Sequence, residues 1–299
     1  MIFFNFKNKK YEDYDDWNAF TKKEEIIIYK YLKNQHGYHI VKSSPWPLLT
    51  GYGLLCFIGF IISMFNGYKG GPCMSVFSFI LFLIGFTMWI RDIIRELTMS
   101  GKNTWKVRHS LMLGFILFII SELMFFSGFF WGFFHSSIIS TVWLFENWPP
   151  QGIIVFNPTT IPLINTIILL LSGIAVTWSH QELLNENRKK SIYALIITIF
   201  LGILFIFLQA FEYITALYNL SDGVYPSVFY MATAFHGLHV FIGIIFLMVC
   251  LKRIIFFEIT PVYHLNFEFA AWYWHFVDVI WLFLYLFFYI WGSNFLYKY

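Results

Sequence analysis

Charge is what this chain has least of. Of its 299 residues only 12% are Asp, Glu, Lys or Arg, against 59% hydrophobic and 23% aromatic, and its mean hydropathy is +0.65. A soluble domain of this length would cover itself with far more charge, so a water-soluble globule is excluded. Cysteine is scarce too. Cys56, Cys73 and Cys250 lie far apart with no CxxC spacing, which argues against a disulfide framework or a cysteine-based metal site. Sustained alternation of polar and apolar residues is also missing. That excludes an outer-membrane barrel, whose two-faced strands run to about 10 residues.

What the chain has in abundance is long apolar runs. Seven of them, at about 48–66, 73–90, 110–136, 161–182, 191–214, 225–251 and 268–296, meet the roughly 20 residues needed to cross a bilayer. Backbone groups in lipid must bond within their own segment, so the runs are predicted to be helices. The fold class expected is all-α: a polytopic membrane protein of seven transmembrane helices.

Basic residues fix the expected orientation. Eighteen of the twenty Lys and Arg fall on the side of the N-terminus: eight Lys within 1–47, then Arg91, Arg95, Lys102, Lys106, Arg108, Arg188, Lys189, Lys190, Lys252 and Arg253. Only Lys69 and Lys298 fall on the other side. The positive-inside rule then predicts an N-in, C-out chain. A net charge of +3 therefore reads as juxtamembrane anchoring rather than nucleic-acid binding.

Residues 1–35 differ, mixing Lys7, Lys9 and Lys10 with Glu12, Asp13, Asp15 and Asp16 before an Ile-rich stretch near Glu24–Leu32. They lack the Arg-rich, acid-poor composition of a transit peptide and the long apolar centre of a secretory signal. A hydrophilic N-terminal extension is expected there. The abundance of Phe, Ile, Tyr, Asn and Lys suggests an A/T-rich coding genome and, with no transit peptide recognised, an organelle-encoded protein.

Ionisable side chains at membrane depth are costly and tend to mark function. Glu122 lies midway along the third run, in SELMFFSGFFWGFFHSS. One reading is a neutral acid hydrogen-bonded to another helix; the sharper one is a proton-exchanging or lipid-contacting carboxyl. The last run carries Glu268, His275 and Asp278, with Glu268 and His275 on one face and Asp278 adjoining. His236 and His239 stand three apart on the sixth run, beside Gly237 and Gly243. These five form a candidate intramembrane polar cluster. The nine histidines, several near helix ends, offer neither a bis-histidine haem pair nor a haem–copper set, so no metal site is expected and interhelical hydrogen bonding is preferred. Near residues 89–108, Trp89, Arg91, Arg95 and Glu96 combine a headgroup-level Trp with phosphate-gripping Arg. Interfacial anchoring and a specific phospholipid site both fit. No nucleophile–base pair at usable spacing appears, so no catalytic residue is assigned.

These same residues carry a resemblance. From His36 onward, HGYHIVKSSPWPLLTG, WIRDIIRELT, SELMFFSGFFWGFFHSS, NWPPQGI, PLINTIILLLSG, LQAFEY, SDGVY, ATAFHGLHVFIG and FEFAAWYWHFVDVIWLFLY resemble, in order, subunit III of the mitochondrial haem–copper oxidases. The resemblance implies a core subunit of cytochrome c oxidase, respiratory complex IV, in the mitochondrial inner membrane. It implies a two-helix and a five-helix bundle around a lipid cleft, with no haem or copper on this chain; haem a and copper would belong to partner subunits. The implied partners are oxidase subunit I, subunit II, accessory subunits and respiratory supercomplexes. The implied ligands are phospholipids: cardiolipin, phosphatidylethanolamine or phosphatidylglycerol. Glu122 matches the family's buried carboxyl, and Arg91, Arg95, Glu96, Arg253 and Trp272 match its lipid region, with Trp89 alongside. Ile90 stands where a second Trp is common, and Asn103 where a lipid-proximal His is usual. Two other readings are the equivalent subunit of a quinol oxidase and a transporter, though paired helix interruptions at midplane are not evident.

Overall fold

A computed structural model describes residues 39, 41, 43–99, 104–138, 148–150 and 152–293. The extension expected over residues 1–35, and Asn103, lie outside the described residues. Seven helices follow in order: α1 (Trp46–Phe65), α2 (Gly71–Met99), α3 (Trp105–Ile138), α4 (Ile161–Leu184), α5 (Arg188–Thr215), α6 (Val224–Ile255) and α7 (Leu265–Leu284), the last continued by a π-helical segment Tyr285–Trp291. No strand occurs among the described residues. All seven are long and apolar enough to span a membrane, in keeping with the all-α expectation. Most extend a few residues past the apolar runs, because polar residues at the interface can continue a helix already nucleated within the lipid.

The chain divides into two compact units, Met1–Leu111 and Met112–Tyr299. In the first, α1 and α2 form a hairpin closed over 66–70, where Gly67 adopts φ 78, a conformation open to glycine without a Cβ clash. The helices nearly touch. A Cβ on Gly53 would lie 2.8 Å from the Phe82 backbone nitrogen, and one on Gly85 would lie 2.9 Å from Thr50 Oγ1. Close backbone approach of this kind supplies van der Waals contact where lipid removes the hydrophobic incentive. Hydroxyls are satisfied locally, Thr50 Oγ1 donating to Trp46 O at 2.7 Å and Ser78 Oγ to Met74 O at 2.7 Å. Elsewhere the two helices turn apolar side chains outward, as a lipid-solvated surface requires.

The second unit is built around α4 and α7, each burying half of its apolar window. Trp274 and Trp281 of α7 are fully buried, and each indole N–H meets a hydroxyl on α4: Trp274 Nε1 donates to Ser172 Oγ at 2.9 Å and Trp281 Nε1 to Thr166 Oγ1 at 3.0 Å. Glycines make room for the first ring. A Cβ on Gly202 of α5 would meet Trp274 at 2.7 Å, and one on Gly243 of α6 at 3.0 Å. Toward the far end of the last span, Phe133 of α3 stacks on Phe288 with centroids 4.1 Å apart. At the basic end, Arg188 opens α5 and donates to the carbonyls of Ile254 and Ile255 at the end of α6. Its guanidinium lies 3.4 Å from the centroid of Phe257, a cation–π contact in which the ring quadrupole attracts the charge.

Candidate functional site

Glu122 on α3 meets His239 on α6, with Oε2 and Nε2 2.8 Å apart. The other ring nitrogen settles the proton count. His239 Nδ1 lies 2.7 Å from the carbonyl oxygen of Phe235, which can only accept, so Nδ1 carries a proton. One further proton then sits between Oε2 and Nε2. It belongs either to a carboxylic acid donating to a neutral imidazole or to an imidazolium donating to a carboxylate. Both forms are net neutral. This is how a carboxyl at membrane depth escapes the cost of an isolated charge.

The pair opens onto an apolar groove of about 580 Å³ lined by Phe115, Phe118, Phe125, Phe235, Leu238, Ile242, Phe246 and Tyr273 together with Glu122 and His239. The Phe126 ring stands edge-on to His239 at 5.0 Å, and Phe125 packs beside it at 6.5 Å. The site can therefore exchange a proton across a hydrogen bond beside a surface suited to a hydrocarbon chain.

The other expected intramembrane residues are distributed over separate places. His236 is buried, with Nε2 3.2 Å from Val277 O and its ring between Phe205 and Trp281. It donates to backbone and ties α6 to α7. His275 and Asp278 approach to 3.8 Å, too far for a hydrogen bond. Both border a second groove, of about 310 Å³, between α4 and α7. Asp278 Oδ2 would meet a Cβ on Gly173 at 2.6 Å. Glu268 sits two turns away and bonds His264 at 2.9 Å. Thus His239 joins Glu122, while Glu268, His236 and the His275–Asp278 pair each have different neighbours.

In the first unit, Asp92 accepts from Trp46 Nε1 at 2.6 Å and from Arg91 Nε at 3.0 Å. Glu96 is bonded to His39 Nε2 at 2.9 Å. Arg95 is exposed and Trp89 half-buried. In the second unit, Arg253 is buried and pairs with Glu258 at 3.0 Å, while the half-buried Trp272 packs against Phe115 and Phe269. Arg95 is thus the most open cation of the candidate lipid group.

Residues that sequence reasoning passed over also emerge. Glu212, within LQAFEY, is fully buried beside Tyr289, and Gln209 is buried one turn before it. His180 and His264 figure in the sequence reading only among the nine histidines. The fold brings both to Glu268, with one donor atom from each of the three within 4.8 Å of the others. The available signal was the i, i+4 pair His264–Glu268, which puts an imidazole and a carboxylate on one helical face.

Comparison with known proteins agrees with this architecture. A family model described as cytochrome c oxidase subunit III matches residues 36–293. The chain is 50% identical over 258 residues to cytochrome c oxidase subunit 3 of Papio hamadryas, covering 86% of this chain and 98% of that one. It is 49% identical over 261 residues to the subunit 3 of Chondrus crispus, covering 87% and 96%. It is also 49% identical over 258 residues to that of Anopheles quadrimaculatus, covering 86% and 98%.

Proposed function

The chain belongs to the cytochrome c oxidase subunit III family, and from that membership we propose that it is a non-redox core subunit of respiratory complex IV in the mitochondrial inner membrane. In this reading it stabilises the catalytic subunit I, contacts subunit II and accessory subunits, holds structural phospholipids and supports proton uptake while oxygen is reduced to water. Haem a and copper lie in the partner subunits, and no residue of this chain acts on a redox centre. Respiratory supercomplexes are its wider setting, and the gene is organelle-encoded.

The observation that carries the proposal is the Glu122–His239 pair, 2.8 Å apart on the wall of an otherwise apolar groove. A pair that shares one proton can pass it on without creating an isolated charge in lipid. The same wall fits a phospholipid acyl chain, whose order would control how water reaches the pair. Trp89, Arg91, Arg95 and Glu96 in the first unit, and Arg253 and Trp272 in the second, are assigned to headgroups: Arg grips phosphate through paired N–H donors and Trp favours the headgroup level.

Glu122→Gln tests the reading. A glutamine amide can donate to His239 Nε2, so the hydrogen bond survives while the exchangeable proton is lost. The intact oxidase should assemble with unchanged haem content, yet inactivate severalfold sooner during sustained turnover. An unchanged turnover lifetime would leave Glu122 a packing residue and sink its proposed role.

A further inference from the structure

We propose that His180, His264 and Glu268 bind a divalent cation of borderline softness, Zn(II), at the basic end of the second unit. His180 lies in the last two turns of α4, His264 directly precedes α7, and Glu268 occupies the first turn of α7. One donor atom from each lies within 4.8 Å of the other two, and the imidazole rings of His180 and His264 have centroids 5.3 Å apart. Two imidazole nitrogens and one carboxylate oxygen are a donor set zinc takes readily, with the fourth position left to water.

The geometry is close to closure. Around tetrahedral zinc, with bonds of about 2.0–2.1 Å, donors stand about 3.3 Å apart. His264 Nε2 and Glu268 Oε1 are already 2.9 Å apart, so a small swing of the His180 ring completes the set. An ordinary His264–Glu268 ion pair explains two of the three residues and leaves the third unexplained. His180 Nε2 is buried with no hydrogen-bond partner among the described residues, an arrangement proteins avoid unless something else occupies the lone pair. Phe267 stacks on the His180 ring with centroids 5.5 Å apart and holds it toward the other two.

Two arginines at this end of the unit are turned elsewhere. Arg188 is directed to the carbonyls ending α6, and Arg253 to Glu258. Neither competes for Glu268. A bound ion would join the end of α4 to the start of α7, fixing the two central helices of the unit where no hydroxyl–indole bond reaches.

The test uses the intact membrane complex containing this chain. The complex is stripped with a chelator, given zinc chloride and washed, and its zinc is counted by mass spectrometry. Wild type should retain one zinc more than His180→Phe and Glu268→Gln complexes of equal haem content. Equal zinc in wild type and variants overturns the proposal. If the variants fail to assemble, anomalous scattering at the zinc edge from wild-type crystals decides. Density within bonding distance of the His180 and His264 imidazoles and the Glu268 carboxylate supports the site, and zinc found only elsewhere, or none, overturns it. Zinc content is independent of turnover, so failure here leaves the oxidase reading untouched.

Discussion

Glu122 and His239 behave as one residue split across two helices. Each satisfies the other's hydrogen bond, and His239 is further oriented by Phe235 O. Removing one partner strands the other beside lipid, at a cost of about 1–3 kcal/mol. His239→Leu should therefore lower the thermal midpoint for loss of this chain from the complex. The double variant Glu122→Leu/His239→Leu should recover much of that loss, because neither group is then unpaired. Strictly additive midpoints for the three variants would show the contact to be incidental. Sequence alone singles out Glu122, since a carboxyl followed by Phe125, Phe126, Phe129, Phe130 and Trp131 is conspicuous in any apolar run. Its partner was not legible. His239 is 117 residues further along, beyond both α4 and α5, and nothing in HGLHV says which helix its ring faces. Glu268 illustrates the opposite case: its partner, four residues away, was legible but was passed over in favour of His275.

At the scale of elements, the second unit depends on one tryptophan and the space made for it. Trp274 fits because Gly202 and Gly243 carry no Cβ, and it is held by Ser172. Substituting Gly202→Val would push two methyl groups into the ring, an overpacking that typically costs about 1–3 kcal/mol. Lower yield of assembled complex is expected, with the remaining oxidase turning over normally per haem; an unchanged yield would mean that α5 shifts freely. Helix positions were readable because each run is apolar along its whole length. Helix partners were not, because an all-apolar helix has no polar face to point away from its neighbours. Only the small residues hinted at contacts. Gly243 marks a place of close approach in the sequence itself, whereas nothing in PLINTIILLLSG says that Thr166 and Ser172 receive indole N–H groups from α7.

For the whole molecule, the count of seven spans and the asymmetric basic residues together define a topology open to labelling. Single cysteines introduced at Lys69 and at Lys189, in a chain otherwise stripped of its three thiols, should react with an impermeant maleimide from opposite faces of the membrane. Reaction of both from one face would refute the N-in, C-out arrangement. The helix α3 adds a scale to that map. Trp105 and Trp131, both largely exposed, lie roughly 26 residues apart on one continuous helix, or about 39 Å along its axis. That nearly equals the headgroup-to-headgroup thickness of a bilayer, about 40–45 Å, and Trp prefers both of those levels. The two indoles thus act as end marks on a measuring rod. By that rod Glu122 lies about 26 Å from Trp105 and about 14 Å from Trp131. On the proposed role of the pair, a proton leaving it toward the basic face would have nearly twice as far to travel as one leaving toward the other.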